Sequence, residues 1–476
     1  MTQAHPSPKV LISGAGLGGL FFSLLLEKAG IPYHIYERAA VAKPLGATIS
    51  LSAHIQPAFE QLGLLEDLDS IALPCKQIRL FDQHLNVMGD IDIATDHIQG
   101  YDPKLVHRPD LYDIMLRRVP AEKLSLNKGV VDFEQDEKGV TIRTSDGETH
   151  HGDILVGADG AYSAVRTKLY EQMEKEKKLP AEDKAGLWAG TVCLAGTTQS
   201  LDPEKFPILR DNKKCHFMNF LGERPYAWMA ITLTNNKIAY IISEQLDDNA
   251  SKDLPALRKK LLSPESKEAF IKKVSGFSVK TYTDDNDRPE KLHTLGDLIE
   301  ATDPETSGMV LLEEKMFKTW HHGRTVLLGD AVHKMHLASG MGCVNAMEDA
   351  VILTNCLYEI ADGKEAVTSE RISEAFKDYR EQRFPHANYQ VQDANRRAQL
   401  AGGHKLIERI TRWIILRLPK WIFVKLAMIE AGYRPQASFL PMVAAPPALV
   451  VDQQKPSKRF MEKQAENDAK HKNAAE

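Results

Sequence analysis

Charge of one sign, paired cysteines and long apolar runs are all scarce in this chain of 476 residues. Its 60 Lys and Arg against 65 Asp and Glu leave a formal net charge of −5. A main role in nucleic-acid binding draws on a basic surplus that neutralises phosphates, so that class is set aside. The five cysteines, Cys75, Cys193, Cys215, Cys343 and Cys356, are odd in number and far apart, with no C-x-x-C pair. That argues against a zinc or dithiol motif and for a reducing compartment. Met1 to Val10 is polar and carries Pro6 and Pro8 in place of the basic and then apolar stretch of a signal peptide, so a cytoplasmic location is expected. No internal repeat is visible. The remaining composition, 43% hydrophobic and 26% charged, is that of a folded, mostly water-soluble protein with room for two or three cores.

The densest local pattern lies in the first forty residues. Lys9 to Ser13 is a short apolar run suited to a buried parallel strand, followed by Gly14-Ala15-Gly16-Leu17-Gly18-Gly19 and an apolar helix that Gly30 and Pro32 end. Tyr33 to Tyr36 reads as a second strand with Glu37 at its end, the dimensions of a βαβ unit. In Gly14-x-Gly16-x-x-Gly19 each glycine removes a side chain where the turn, a pyrophosphate or the helix must come close. The Glu37 carboxylate is placed to accept from the hydroxyls of an adenosine ribose. This pattern serves NAD and FAD alike.

Two later turns share the strand-then-glycine form. Gly139 to Thr144 and Glu148 to His151 flank Ser145-Asp146-Gly147, a hairpin that leads into a buried strand, Asp153 to Val156. Asp159-Gly160-Ala161-Tyr162-Ser163-Ala164-Val165-Arg166 follows, with Ser163 as a helix cap and Arg166 expected in a local ion pair. A third strand, Thr325 to Leu328, runs into Gly329-Asp330-Ala331-Val332-His333 and a helix from about Asn345 through Ile360. A carboxylate such as Asp330 at a strand's C-terminal end can accept a ribityl hydroxyl, and the next helix N-terminus suits anionic oxygens. Each turn read alone is also an ordinary capped connection.

Together, Gly14-x-Gly16-x-x-Gly19 with Glu37, Asp159-Gly160-x-x-Ser163-x-Val165-Arg166, and Trp320-x-x-Gly323-Arg324-x-x-Leu327-x-Gly329-Asp330-Ala331-x-His333 resemble the class A FAD-dependent monooxygenases, which include aromatic hydroxylases and zeaxanthin-type epoxidases. The resemblance spans roughly residues 8 to 400. His333-Lys334-Met335, Leu179-Pro180 and Tyr433-Arg434-Pro435-Gln436-x-x-Phe439-Leu440-Pro441 are similar to the fungal branch of terpenoid and meroterpenoid epoxidases, which implies a role in secondary metabolism. It implies FAD bound by Gly14, Gly16, Gly19, Glu37, Gly46, Ala47, Arg108, Asp159, Asp330, Gly342 and Cys343. The chain departs from the family at Leu337, where a proline is usual, and at Cys343-Val344, where a Gly-Asn step is usual, with Asn345 displaced by one.

The resemblance further implies NAD(P)H as co-substrate and a flavin C4a-hydroperoxide that delivers one oxygen atom of O2 to a hydrophobic aromatic or alkene small molecule. Hydroxylation of a phenol is helped by a general base; epoxidation needs none. Tyr226, in a predicted substrate-domain strand, is the candidate catalytic side chain, with a core tyrosine as the plain alternative. His216, His333 and His336 are isolated, and no spacing suggests a metal site. Two other readings stand beside oxygen insertion: a flavin dehydrogenase or oxidase, and a catalytically silent FAD-binding homologue. A halogenase lacks its Trp-x-Trp-x-Ile-Pro element here.

The expected architecture is α/β: a doubly wound FAD-binding domain, discontinuous over 1–185 and 296–400, with an inserted antiparallel substrate domain at 186–295. A helical C-terminal region at 401–451 and a disordered tail at 452–476 complete it. Between Lys405 and Glu430 six basic residues, Lys405, Arg409, Arg412, Arg417, Lys420 and Lys425, interrupt every apolar run, and Pro419 breaks any helix. A spanning helix is thereby excluded, whereas Trp413 and Trp421 beside basic residues suit peripheral contact with a membrane headgroup region. Docking onto the chain's own body is the alternative.

Overall fold

Val10–Ser13 is buried at all four positions, as a parallel strand covered on both faces must be. It pairs in parallel with Tyr33–Tyr36 on one side and Ile154–Gly157 on the other. Thr325–Leu327 extends the sheet in parallel beyond Ile154–Gly157, and Leu124–Ser125 beyond Tyr33–Tyr36. With the antiparallel edge His321–His322 this makes six strands. The computed structural model describes residues 7–41, 48–94, 99–222, 225–246, 253–283, 288–361, 365–402, 406–419, 421–423, 425, 430, 432–447 and 456–465.

The helix Leu17–Ala29 ends where expected: Gly30 takes a left-handed φ of 68°, and its N–H reaches the carbonyls of Leu26 and Glu27. This helix packs on Gly342–Ile360, close enough that a Cβ on Gly18 would meet the Ala346 Cβ at 3.1 Å. The predicted hairpin is present as Val140–Thr144 against Thr149–Gly152, with Gly147 at φ 86°. Val130–Gln135 completes that three-stranded sheet. Thr48–Leu51, Lys104–His107 and Ala72–Pro74 form another.

The predominantly antiparallel sheet has eight strands, and only four, Trp188–Thr197, Phe217–Leu221, Tyr226–Leu233 and Lys237–Gln245, come from residues 186–295. Gln77–Asp82 joins in parallel to Phe217–Leu221, with Val87–Asp92 outside it. Gly308–Met316 and His333–Lys334 close the other end. A sheet with two open edges recruits strands by backbone pairing alone, which carries no local sequence signal. One face of this sheet, with Leu194, Trp228, Ala230, Tyr240 and Ile242, forms a core with Phe270 and Val274 of the helix Pro264–Val274. On Trp188–Thr197, Thr191 approaches His336, its Oγ1 3.5 Å from Nε2.

The C-terminal part is helical over Ser369–Gly402 and Leu406–Ile415. Of the tail from residue 452, expected to be disordered, the structure describes residues 456–465. Residues 458–465 are helical. Ser457 is buried, donates its N–H to the Ser438 carbonyl and accepts from the Phe460 N–H. Arg459 lies over the Tyr358 ring and donates to its carbonyl. A capped turn and one stacked arginine thus dock a segment with few apolar anchors. Among the described residues no helix is long and apolar enough to cross a membrane.

Candidate functional site

The turn between the first strand and first helix is built by contact distances that tolerate no side chain. Gly14 has φ 104°, and a Cβ there would lie 2.6 Å from the Ala158 carbonyl oxygen; one on Gly19 would lie 2.1 Å from that of Gly14. Gly16 differs, because a Cβ there meets nothing within 4 Å. The open volume faces a helix N-terminus that has neither a side-chain cap nor an acidic residue in its first turn. Such an end presents unpaired N–H groups and a positive partial charge, the requirements of a diphosphate. Glu37 braces the turn: its Oε2 accepts from Ala15 N and its Oε1 from Ala39 N, both at 2.8 Å.

The second turn carries Asp159. Its Oδ2 accepts from Ala164 N at 2.8 Å and Val165 N at 3.2 Å. Its Oδ1 is buried with no partner among the described residues, and burial raises the pKa of the carboxyl. Ser163 caps the helix Ala164–Lys175 through Arg166 N, as expected. The expected ion pair of Arg166 is not formed among the described residues; the guanidinium donates to the carbonyls of Ala331 (2.8 Å) and Ala161 (2.7 Å) and lies over Phe317. It thereby ties this turn to the next, since two carbonyls satisfy a planar fork without bringing in a second charge.

In the third turn Asp330 accepts from Lys334 Nζ at 2.6 Å, and that carboxylate is the main cause of the raised Lys334 pKa. Arg108, at the end of the strand Lys104–His107, lies close enough to Asp330 for that carboxylate to favour its charged form, so a segment far away in sequence is brought near the third turn. Burial lowers the pKa of Arg108 and pushes that of the Cys343 thiol up to about 12, which leaves the thiol protonated. Gly342 opens the helix Gly342–Ile360 three residues before the predicted start. Gly340, at φ 66°, brings its loop against Ser50 of the strand Thr48–Leu51. His336 accepts from Ala338 N, and burial holds its pKa down to about 4, so it stays neutral. Gly46 and Ala47 lie outside the described residues.

Tyr226 is not brought to this group. It shares the helix-covered sheet face with Trp228, meets Phe270 and Phe277 edge-on, and donates to Glu244 Oε1 at 3.4 Å. His216 sits beside Asp211 at 3.5 Å. His333 is wholly buried, with Nε2 2.6 Å from Asp349 Oδ2. Lys334 stands in the sequence only as part of His333-Lys334-Met335; its pairing with Asp330 comes from the return of the chain after the turn and carries no helical spacing signal.

The arrangement therefore brings together a glycine turn open at Gly16, the Glu37 carboxylate at the end of the next strand, and the polar groups of the second and third turns. A family profile described as "FAD binding domain" matches residues 7–394. The chain is 26% identical over 456 residues to the FAD-dependent monooxygenase dpasE of Apiospora sacchari, covering 93% of this chain and 89% of that one. It is 28% identical over 391 residues to the FAD-dependent monooxygenase paxM of Penicillium paxilli, covering 80% and 76%. Among solved structures, Klebsiella pneumoniae HpxO complexed with FAD and uric acid shares the fold at a TM-score of 0.67 and 23% identity, over 90% of this chain and 97% of that one. A salicylate hydroxylase substrate complex shares it at 0.62 and 18%, over 89% and 98%.

Proposed function

The chain belongs to the FAD binding domain family and is an FAD-dependent monooxygenase, and from that premise we propose that it inserts one oxygen atom of O2 into a hydrophobic aromatic or alkene small molecule at the expense of NAD(P)H. The observation that carries the FAD site is the open volume at Gly16 beside an uncapped helix end. In this reading Gly14, Gly16 and Gly19 admit the diphosphate, Glu37 takes the adenosine ribose, and Asp159 Oδ1 accepts a hydroxyl or a bridging water. Asp330, Arg108 and the Gly342–Cys343 helix start hold the ribityl and flavin end. When bound, FAD supplies the two-electron chemistry that takes hydride from the nicotinamide and activates O2.

The protein's part is to bind, orient and keep water out. Lys334 neutralises Asp330, so the carboxylate is held in place before a ligand arrives. His336, neutral through burial, and Thr191 on the facing sheet strand offer hydrogen bonds without adding charge. Incubation with ¹⁸O-labelled O2, NADPH and a panel of prenylated aromatic compounds should give a product 2 mass units heavier than its unlabelled counterpart. Cofactor reduction with unlabelled product would instead support a dehydrogenase or oxidase.

We further propose a phospholipid surface as the docking partner of the helix Leu406–Ile415. Ile407, Ile410 and Ile414 recur at helical spacing and are 66, 46 and 48% exposed, with Trp413 and Trp421 at 57 and 64%. Leu416 packs at Gly89 of the body, and Arg417 lies over Trp413, a cation placed for anionic headgroups. Replacing both tryptophans by alanine should lower flotation with phosphatidylserine vesicles by ~10-fold or more without unfolding the protein. Equal flotation would remove the role.

A further inference from the structure

Behind the third turn lies a set of charged side chains that cofactor binding does not use directly. Asn345, Glu348 and Asp349 occupy one face of the helix Gly342–Ile360 and meet Arg383 of the helix Ser369–Gly402; all four, with His333, are wholly buried. Arg383 Nε donates to Asp349 Oδ1 at 2.7 Å. Its Nη2 donates to the Asn345 carbonyl at 3.2 Å and side-chain oxygen at 2.9 Å. Its Nη1 lies 3.0 Å from Glu348 Oε2. The other oxygen of Asp349, Oδ2, accepts from Gly329 N at 2.8 Å and is 2.6 Å from His333 Nε2.

A buried ion pair is poor evidence for stability, because well-packed apolar residues of the same volume serve as well or better. What this one adds is direction. A single guanidinium fork fixes the first turn of the helix at Asn345 and, through one carboxylate, the N–H of Gly329. Gly329 has φ 63°, and a Cβ there would lie 2.9 Å from Ala346, so turn and helix start move together. These two pieces carry Asp330 and Cys343. We propose that Arg383 is a positioning residue of the FAD site: acting through Asp349 and Asn345, it holds the Gly329–Asp330 turn and the start of the helix Gly342–Ile360 in the relative position that binds the flavin end. The proposal rests on FAD being the cofactor.

The test uses the full chain. Arg383→Lys keeps the charge but loses the fork, and the doubly neutral variant Arg383→Gln with Asp349→Asn leaves no buried charge of that pair unmatched. Flavin-fluorescence titration of apoprotein should show Kd for FAD raised by about 10-fold or more in both, as loss of charge-assisted hydrogen bonds implies. The visible absorption bands of the bound flavin should shift, and backbone amides of residues 328–333 should lose hydrogen-exchange protection while those of the helix Leu17–Ala29 keep theirs. Folded variants with unchanged Kd and spectrum would overturn the proposal, as would failure of both to fold, which would make Arg383 a folding residue only. A wild-type chain that takes up no FAD would overturn the cofactor reading itself.

Discussion

Gly16→Ala should leave the protein folded, within about 1 kcal/mol of its original stability, and weaken FAD binding by ~10-fold or more, whereas Gly19→Ala should destroy both. The backbone at Gly16, φ −68° and ψ 175°, suits any residue, and a methyl group there touches no protein atom. Its only cost to the fold is the modest preference of a helix N-cap for glycine over alanine. The methyl would occupy the volume reserved for the diphosphate, whose oxygens must approach backbone N–H groups to ~3 Å. At Gly19 the same methyl would lie 2.1 Å from the Gly14 carbonyl oxygen, a backbone atom that no rotamer change can move aside. Relief requires lifting the helix Leu17–Ala29 off the sheet, at about 3 kcal/mol or more. Urea denaturation of the apoproteins and FAD titration of whatever folds separate the two cases. If Gly16→Ala binds FAD as tightly as the parent, the diphosphate does not pass this turn.

That contrast shows where sequence reading is strong. The glycine turn, its helix and Glu37 lie within thirty residues, and the contact that demands Gly19, with the Gly14 carbonyl, lies inside the turn itself. The same holds for the hairpin at Gly147 and the Ser163 cap. Reading fails where partners lie far apart. Phe217–Leu221 pairs with Gln77–Asp82 through backbone groups that every sequence has, so nothing in either segment announces the other. Arg166 shows a subtler limit: an arginine in the same turn as an aspartate suggests an ion pair, yet Oδ2 of Asp159 is taken by two N–H groups and Arg166 reaches two carbonyls instead. Arg383 stands outside every motif, and only the packing of two helices shows that it serves Gly329. The 456–465 segment was hidden for a related reason, because its anchors are Ser457 and Arg459 and not an apolar stripe.

The buried cluster also sets a pH dependence. Burial raises the pKa of Glu348 to about 7 against the opposing charge of Arg383, and neither carboxyl oxygen has a hydrogen-bond partner among the described residues. Asp349, facing the same arginine, goes the other way, pulled below its ordinary range by His333 and Arg383 although burial opposes it. Arg383 therefore hydrogen-bonds one carboxylate, and the second, 3.0 Å from its Nη1, keeps its proton up to about pH 7. Between the ordinary value of 4.5 and about 7 the folded chain keeps a proton on Glu348 that the unfolded chain has released, so this group lowers stability as pH rises through that window. The neighbouring histidines act in the opposite sense. Burial holds His54 down to about 4 and depresses His386 as well, so the folded chain binds fewer protons there and gains stability as pH rises toward 6.5.

The two effects overlap in the parent protein and separate in a difference. Glu348→Gln keeps the shape of the neutral acid among Asp349, Arg383, His386 and Tyr433 and cannot ionise. Its stability should match the parent near pH 4.5 and exceed it by about 3 kcal/mol at pH 8, the free energy of holding a carboxyl protonated to about 7. Glu314, on the strand Gly308–Met316, is raised to about 7 by burial alone, and Glu314→Gln should show the same sign independently, because it lies on a sheet strand and not among the helical groups around Arg383. Urea midpoints at pH 5, 6.5 and 8 measure both differences. A Glu348→Gln difference that is flat with pH, or that favours the parent at pH 8, would mean that the ionised carboxylate pairs with Arg383 strongly enough to repay its burial. Arg383 would then be shared between two anions over the whole range, and FAD affinity should stay level from pH 5 to 8. If Glu348 instead titrates at about 7, its ionisation brings a second anion to Arg383 and loosens the hold on Asp349 and the Gly329 turn, so FAD affinity should decline as the pH rises through 7.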